Sequence, residues 1–176
     1  MIYFNGFSLN QEEILFDEYL KNASDTTVVG FSFGAQKAFE YVYQTKDRVD
    51  KLILLSPAFF QTQQSSFIRA QLHYFETGRE AYIQQFLLNV SYPSTFKLSK
   101  YLYASTKEEL SDLLNYVWER DKITAILKKG TNIEVFLGSK DKIIEYSKAK
   151  SFFTQTTTYT IKGAGHLLKG QKWQLL

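Results

Sequence analysis

The chain has 176 residues, 44 % of them hydrophobic and 16 % aromatic, with two prolines and no cysteine. That length fits one domain around a single sizeable core. The missing cysteine excludes a disulfide scaffold, a thiol nucleophile and thiolate-held zinc or iron–sulfur, and two histidines are too few for a histidine-rich metal centre. The formal charge of +3 is uneven: residues 1–60 carry 5 Lys/Arg against 8 Asp/Glu, and residues 61–176 carry 16 against 10.

In chain order, Ile2-Tyr-Phe-Asn5 reads as a short buried strand stopped by Gly6. Residues 11–21 read as a helix, with Ile14, Leu15, Tyr19 and Leu20 at helical spacing and acids near the start. Asp25-Thr-Thr-Val-Val-Gly30 is a β-branched second strand, followed by a helix carrying Ala35, Ala38, Phe39 and Val42 on one face. Lys51-Leu-Ile-Leu-Leu-Ser56 is the third strand, closed by Pro57. Residues 57–130 are helical in pattern, clearest in Leu110, Leu113, Leu114, Val117 and Trp118 behind a Ser105 or Thr106 cap. Strands return with Asn132-Ile-Glu-Val-Phe-Leu137 and Thr157-Thr-Tyr-Thr-Ile161, joined by a helix over residues 142–153. Alternating strands and helices predict an α/β fold with about five parallel strands, right-handed crossovers and helices on both faces. The single domain spans 1–176, with 57–130 as a helical insertion or lid.

No apolar run approaches the ~20 residues that span a bilayer, and the first residues lack a basic leader. A cytoplasmic protein without membrane contact is the expectation. Basic residues are not clustered in a recognisable nucleic-acid module, so no nucleic acid is expected as a partner.

Gly30-Phe31-Ser32-Phe33-Gly34 matches G-x-S-x-G between a buried strand and an amphipathic helix. There a serine is held on a sharp, exposed turn, and small flanking residues let neighbouring backbone approach. A serine nucleophile on this layout needs an acid and then a histidine, each just beyond a later strand. Asp141 follows the fourth strand in Gly138-Ser-Lys-Asp141, and His166 follows the fifth in Gly163-Ala-Gly-His166. A parallel sheet gathers such loops at the carboxyl ends of its strands, so Ser32, Asp141 and His166 should converge. Asp141 also suits the start of the following helix, with Glu145 as a fallback acid; His73, inside a helical stretch, suits a structural or surface place. An oxyanion hole needs two main-chain N–H donors. Phe33, after the nucleophile, and Phe7, in the loop after the first strand, are the expected pair.

These motifs together resemble the α/β-hydrolase superfamily, with Asn5-Gly6 standing where a His-Gly pair is usual. The resemblance implies a minimal form whose sheet keeps the family's strands 3-5-6-7-8. The Asn-Gly-Phe start, the Gly-Phe-Ser-Phe-Gly elbow and the compact insertion are similar to the small pimeloyl-acyl-carrier-protein methyl ester esterases of biotin synthesis, the BioV type first and the BioG type next. That implies a serine carboxylesterase releasing methanol, with no metal or other cofactor, acting as a monomer on an acidic acyl-carrier protein. Phe31, Phe59, Phe60 and Leu167 are then expected along the acyl chain. Arg69, Arg79, Lys97 and Lys100, with Lys107, are expected to meet the carrier. A general small-ester carboxylesterase, a thioesterase or a peptidase on the same three residues, and a non-catalytic binding module of the same fold, are the competing readings.

Overall fold

A computed structural model describes residues 1–171. Five parallel strands form one sheet in the order β1-β2-β3-β4-β5: β1 Ile2–Phe4, β2 Thr27–Phe31, β3 Lys51–Leu55, β4 Asn132–Gly138 and β5 Thr157–Ile161. The central strands are apolar at nearly every position because both faces are covered. Alternation along them divides the core. Val28, Leu52, Leu54, Ile133, Val135 and Leu137 face one side, and Val29, Phe31, Ile53 and Leu55 the other.

The first face is covered by α2 Phe33–Gln44, α6 Arg120–Lys128 and α7 Tyr146–Phe152. The second is covered by a 3-10 turn at Glu13–Phe16 that runs into α1 Asp17–Leu20, and by Leu98, Tyr101, Leu167 and Leu168. The chain steps across the sheet in one direction, yet its first crossover lies on the face opposite the later ones. The β1–β2 connection therefore has the other hand, against the uniform right-handedness expected from the sequence. The rule rests on a full helix packing back on the sheet, and here one four-residue helix follows a 3-10 turn. The helix expected over residues 11–21 is broken for a related reason. Glu12, Leu15 and Phe16 are all completely buried, and Glu12 bonds backwards to the loop before it.

Between β3 and β4 the chain forms α3 Ser65–Thr77, α4 Arg79–Ser91, a 3-10 turn Ser99–Tyr101, α5 Lys107–Asn115 and α6. The expected 57–130 block divides here. Ile123 and Ile126 of α6 are fully buried in the same cluster as α2, so α6 is an ordinary crossover helix. The excursion above the sheet edge is α3–α5. Thr106 starts α5 with a reciprocal capping box: its hydroxyl accepts the Glu109 N–H while Glu109 accepts the Thr106 N–H. Among the described residues, no helix is long and apolar enough to cross a membrane.

Candidate active site

The carboxyl ends of β1, β2, β4 and β5 supply the site. At β2, Ser32 is the residue between strand and helix, held at φ 54° and ψ −112°. A non-glycine residue in that region costs on the order of 1–3 kcal/mol and persists only where neighbours enforce it. They do so here. The Ser32 N–H donates to Leu55 O at 2.9 Å, and Ser32 O accepts from both Ala35 N and Ala58 N at 3.1 Å. Ala58 is itself fixed, since its carbonyl accepts from Gln36 Nε2 at 3.0 Å and Trp118 Nε1 at 2.9 Å. Glycine is required at both ends of the turn. A Cβ on Gly30 would strike the Gly34 carbonyl, and one on Gly34 would strike the carbonyl oxygen of Phe4.

Ser32 Oγ lies 2.8 Å from His166 Nε2, and His166 Nδ1 lies 2.7 Å from Asp141 Oδ2. All three side chains are buried, His166 completely. Asp141 uses both oxygens: Oδ1 accepts the Ile143 and Ile144 N–H groups at 2.7 and 3.2 Å while Oδ2 meets the imidazole. The helix-start reading and the histidine-partner reading of Asp141 thus hold together in one side chain. That turn delays α7 to Tyr146, four residues later than expected. Glu145 points elsewhere, accepting from Gln63 at 3.0 Å, and His73 is exposed on α3.

The Phe7 and Phe33 rings lie 6.5 Å apart, and neither main-chain N–H has a partner among the described residues. The loop bearing Phe7 is fixed from below. Gly6 N donates to Glu12 Oε1 at 2.6 Å, and Leu9 N to Gly6 O at 3.2 Å. From the insertion, Tyr103 N donates to Ser8 O and Asn10 N to Tyr101 O. Glu12 was not legible as a site residue: in Gln11-Glu12-Glu13 it is one acid among several at an apparent helix start.

The insertion closes over the histidine loop. A Cβ on Gly165 would collide with Tyr92 O, and Lys142 Nζ sits 3.7 Å from the centre of the Tyr92 ring. Tyr92 thereby touches the neighbours of both Asp141 and His166. Beside this contact a cavity of about 550 Å³ runs between α3, α4 and α5, reaching Phe7 and Ile143 at its inner end. Phe60 lines it, together with Phe67, Phe86 and Leu114. The other three apolar residues expected along an acyl chain lie elsewhere. Phe31 packs on the His166 ring at 5.2 Å, Phe59 on Phe152 at 5.4 Å, and Leu167 is buried in the second core. Of the basic residues, Arg79 and Lys97 border a second groove beside α4, of about 1180 Å³. Arg69 bonds Ser65 on α3, Lys100 lies 4.7 Å from the Tyr101 ring centre, and Lys107 pairs with Glu76. No cluster of candidate metal ligands occurs among the described residues.

The fold is that of the α/β-hydrolases. MenH of S. aureus superimposes with a TM-score of 0.60 at 12 % identity, over 94 % of this chain and 85 % of MenH. BioG from Haemophilus influenzae gives 0.58 at 13 % identity, over 94 % and 87 %. An esterase from Exiguobacterium antarcticum gives 0.53 at 16 % identity over 86 % of this chain, which spans 63 % of that esterase. At such identities the likeness is one of fold. No protein-family model and no curated protein matches the sequence.

Proposed function

We propose that the chain is a serine ester hydrolase with Ser32 as nucleophile, His166 as base and Asp141 as its orienting acid. The observation that carries this is the continuous hydrogen-bonded line from Ser32 Oγ through His166 to Asp141, beginning at a strained strand-to-helix turn. With Nδ1–H given to Asp141, Nε2 is free to take the Ser32 proton as Oγ attacks the ester carbonyl. The negative charge then develops on the carbonyl oxygen, where the unpartnered Phe7 and Phe33 N–H groups are the available donors. His166 returns the proton to the leaving alcohol, and water repeats the sequence on the acyl-enzyme. The chemistry needs no metal or organic cofactor.

The substrate we favour is the methyl ester of pimeloyl-acyl-carrier protein, giving methanol and the free carboxylate. A fold shared with BioG supports this, as does an apolar cavity that ends beside both Phe7 and the Asp141 loop. The acyl chain would lie against Phe60 there, and Arg79 and Lys97 on the neighbouring groove would meet the acidic carrier.

Fluorophosphonate should label the wild-type chain and not Ser32→Ala. A folded wild type that takes no label would sink the hydrolase reading. Methyl pimeloyl-carrier protein should outcompete a short p-nitrophenyl ester, with an advantage that shrinks as salt rises. A preference for the small ester, indifferent to carrier, would make this a general carboxylesterase.

A further inference from the structure

Glu12 is the most completely enclosed carboxyl near the site, with no measurable exposure. One of its oxygens, Oε1, accepts the Gly6 N–H at 2.6 Å and the Tyr3 hydroxyl at 3.4 Å. The other, Oε2, is buried without a partner among the described residues. Taking a carboxyl out of water and leaving half of it unsatisfied costs free energy, so burial alone gives no reason for an acid here.

Glu12 occupies one of the N–H groups of the loop. Across residues 6–11, Gly6 N is taken by Glu12, Leu9 N by Gly6 O, Asn10 N by Tyr101 O, and Gln11 N by Asn5 Oδ1. Phe7 and Ser8 alone keep N–H groups with no partner among the described residues. The Phe31 ring, tilted against His166, lies against Gly6, where a Cβ would meet it at 2.7 Å, so the loop cannot sink toward the sheet. The tie at Gly6 N fixes the Asn5–Gly6 peptide, and the Leu9 N–H bond to Gly6 O fixes the next one, which carries the Phe7 N–H.

We propose that Glu12 is a positioning residue, whose bond to Gly6 N anchors the start of the loop so that the next peptide, held by the Leu9–Gly6 bond, presents the Phe7 N–H to the oxygen that gains charge on attack by Ser32. The role rests on the hydrolase reading above. It acts through the main chain and touches neither substrate nor the reacting atoms.

The experiment compares Glu12→Met, which keeps volume and removes the acceptor, with Glu12→Gln, which keeps a carbonyl oxygen for Gly6. The readouts are turnover of a p-nitrophenyl ester, the rate of Ser32 labelling by fluorophosphonate, and thermal melting. Loss of one well-placed oxyanion donor costs about 10²–10³ in rate, and a misaligned donor less, so Glu12→Met should lose about 10- to 100-fold in kcat. Its KM should stay within about threefold and its labelling should slow in parallel. Glu12→Gln should recover kcat to within a few-fold of wild type. A folded Glu12→Met with kcat within twofold of wild type overturns the role, as does a folded Glu12→Gln no faster than Glu12→Met. If wild type itself takes no label at Ser32, the hydrolase reading falls and this role falls with it. An active wild type with an unimpaired Glu12→Met removes the role alone.

Discussion

At the scale of single residues, Asp141 holds a turn with one oxygen and the His166 imidazole with the other. Its two oxygens bind different partners, so Asp141→Asn separates their contributions. An asparagine can keep its carbonyl oxygen on the Ile143 and Ile144 N–H groups and so preserve the turn. Its NH2 then faces His166 Nδ1, which must accept, and the imidazole proton moves to Nε2, the nitrogen that should receive the Ser32 proton. Turnover should fall on the order of 10³- to 10⁴-fold with little change in melting temperature. More than a tenth of wild-type activity in a folded variant would remove Asp141 from the orienting role. Glu12 makes a separate prediction in stability. Burial pushes its carboxyl up to about 6 from an ordinary 4.5. An acid with a raised folded-state pKa binds its proton more tightly when folded, so its contribution to stability is largest below pH 4.5 and declines as pH rises toward about 6. The loss amounts to roughly 2 kcal/mol across that window. Urea unfolding of wild type against Glu12→Gln at pH values on either side of the window should show that loss in wild type only. Parallel pH profiles for the two proteins would contradict it.

At the scale of elements, the capping box at Thr106 holds the first turn of α5, whose Leu110, Leu113 and Leu114 are buried beneath the excursion. Thr106→Ala should lower stability by about 1 kcal/mol, seen as a melting temperature lower by a few degrees. An unchanged melting temperature would mean that packing alone fixes where α5 begins. Thr106 with Glu109 belongs to the features legible in sequence, because a cap is written in adjacent residues. So were β2 and β3, since Val28-Val29 and Leu52 to Leu55 are apolar enough to exclude any exposed alternative, whereas β1, expected to be buried, lies partly exposed at the sheet edge. The turn at Ser32 was legible because glycines were needed on both sides of it. Two features were not legible. The hand of the first crossover depends on which face Leu15 and Phe16 cover, and a continuous apolar strand buried on both sides carries no sign of face. The part of Glu12 depends on a bond to main chain six residues earlier, which helical spacing does not express.

At the scale of the whole molecule, the parallel sheet brings together residues 32, 141 and 166, and the α3–α5 excursion forms two apolar spaces near them. Its cavity of about 550 Å³ and the larger groove beside α4 lie on different sides of α4, and only the first is lined by Phe7 and Ile143. That continuity favours the first as the place for an acyl chain. Ala81, on α4, is an exposed residue on its wall, so a larger side chain there narrows the cavity without removing any core contact. Displacing even a few methylenes from an apolar site is worth about 1–3 kcal/mol in transition-state binding. Ala81→Phe should therefore lower kcat/KM for an octanoyl p-nitrophenyl ester about tenfold relative to the acetyl ester, whose short chain does not reach α4. An unchanged octanoyl-to-acetyl ratio would exclude this cavity as the acyl site. The groove walled by Ile83, Leu87 and Leu98 would then be the place to narrow next, because it is the other apolar space formed by α4.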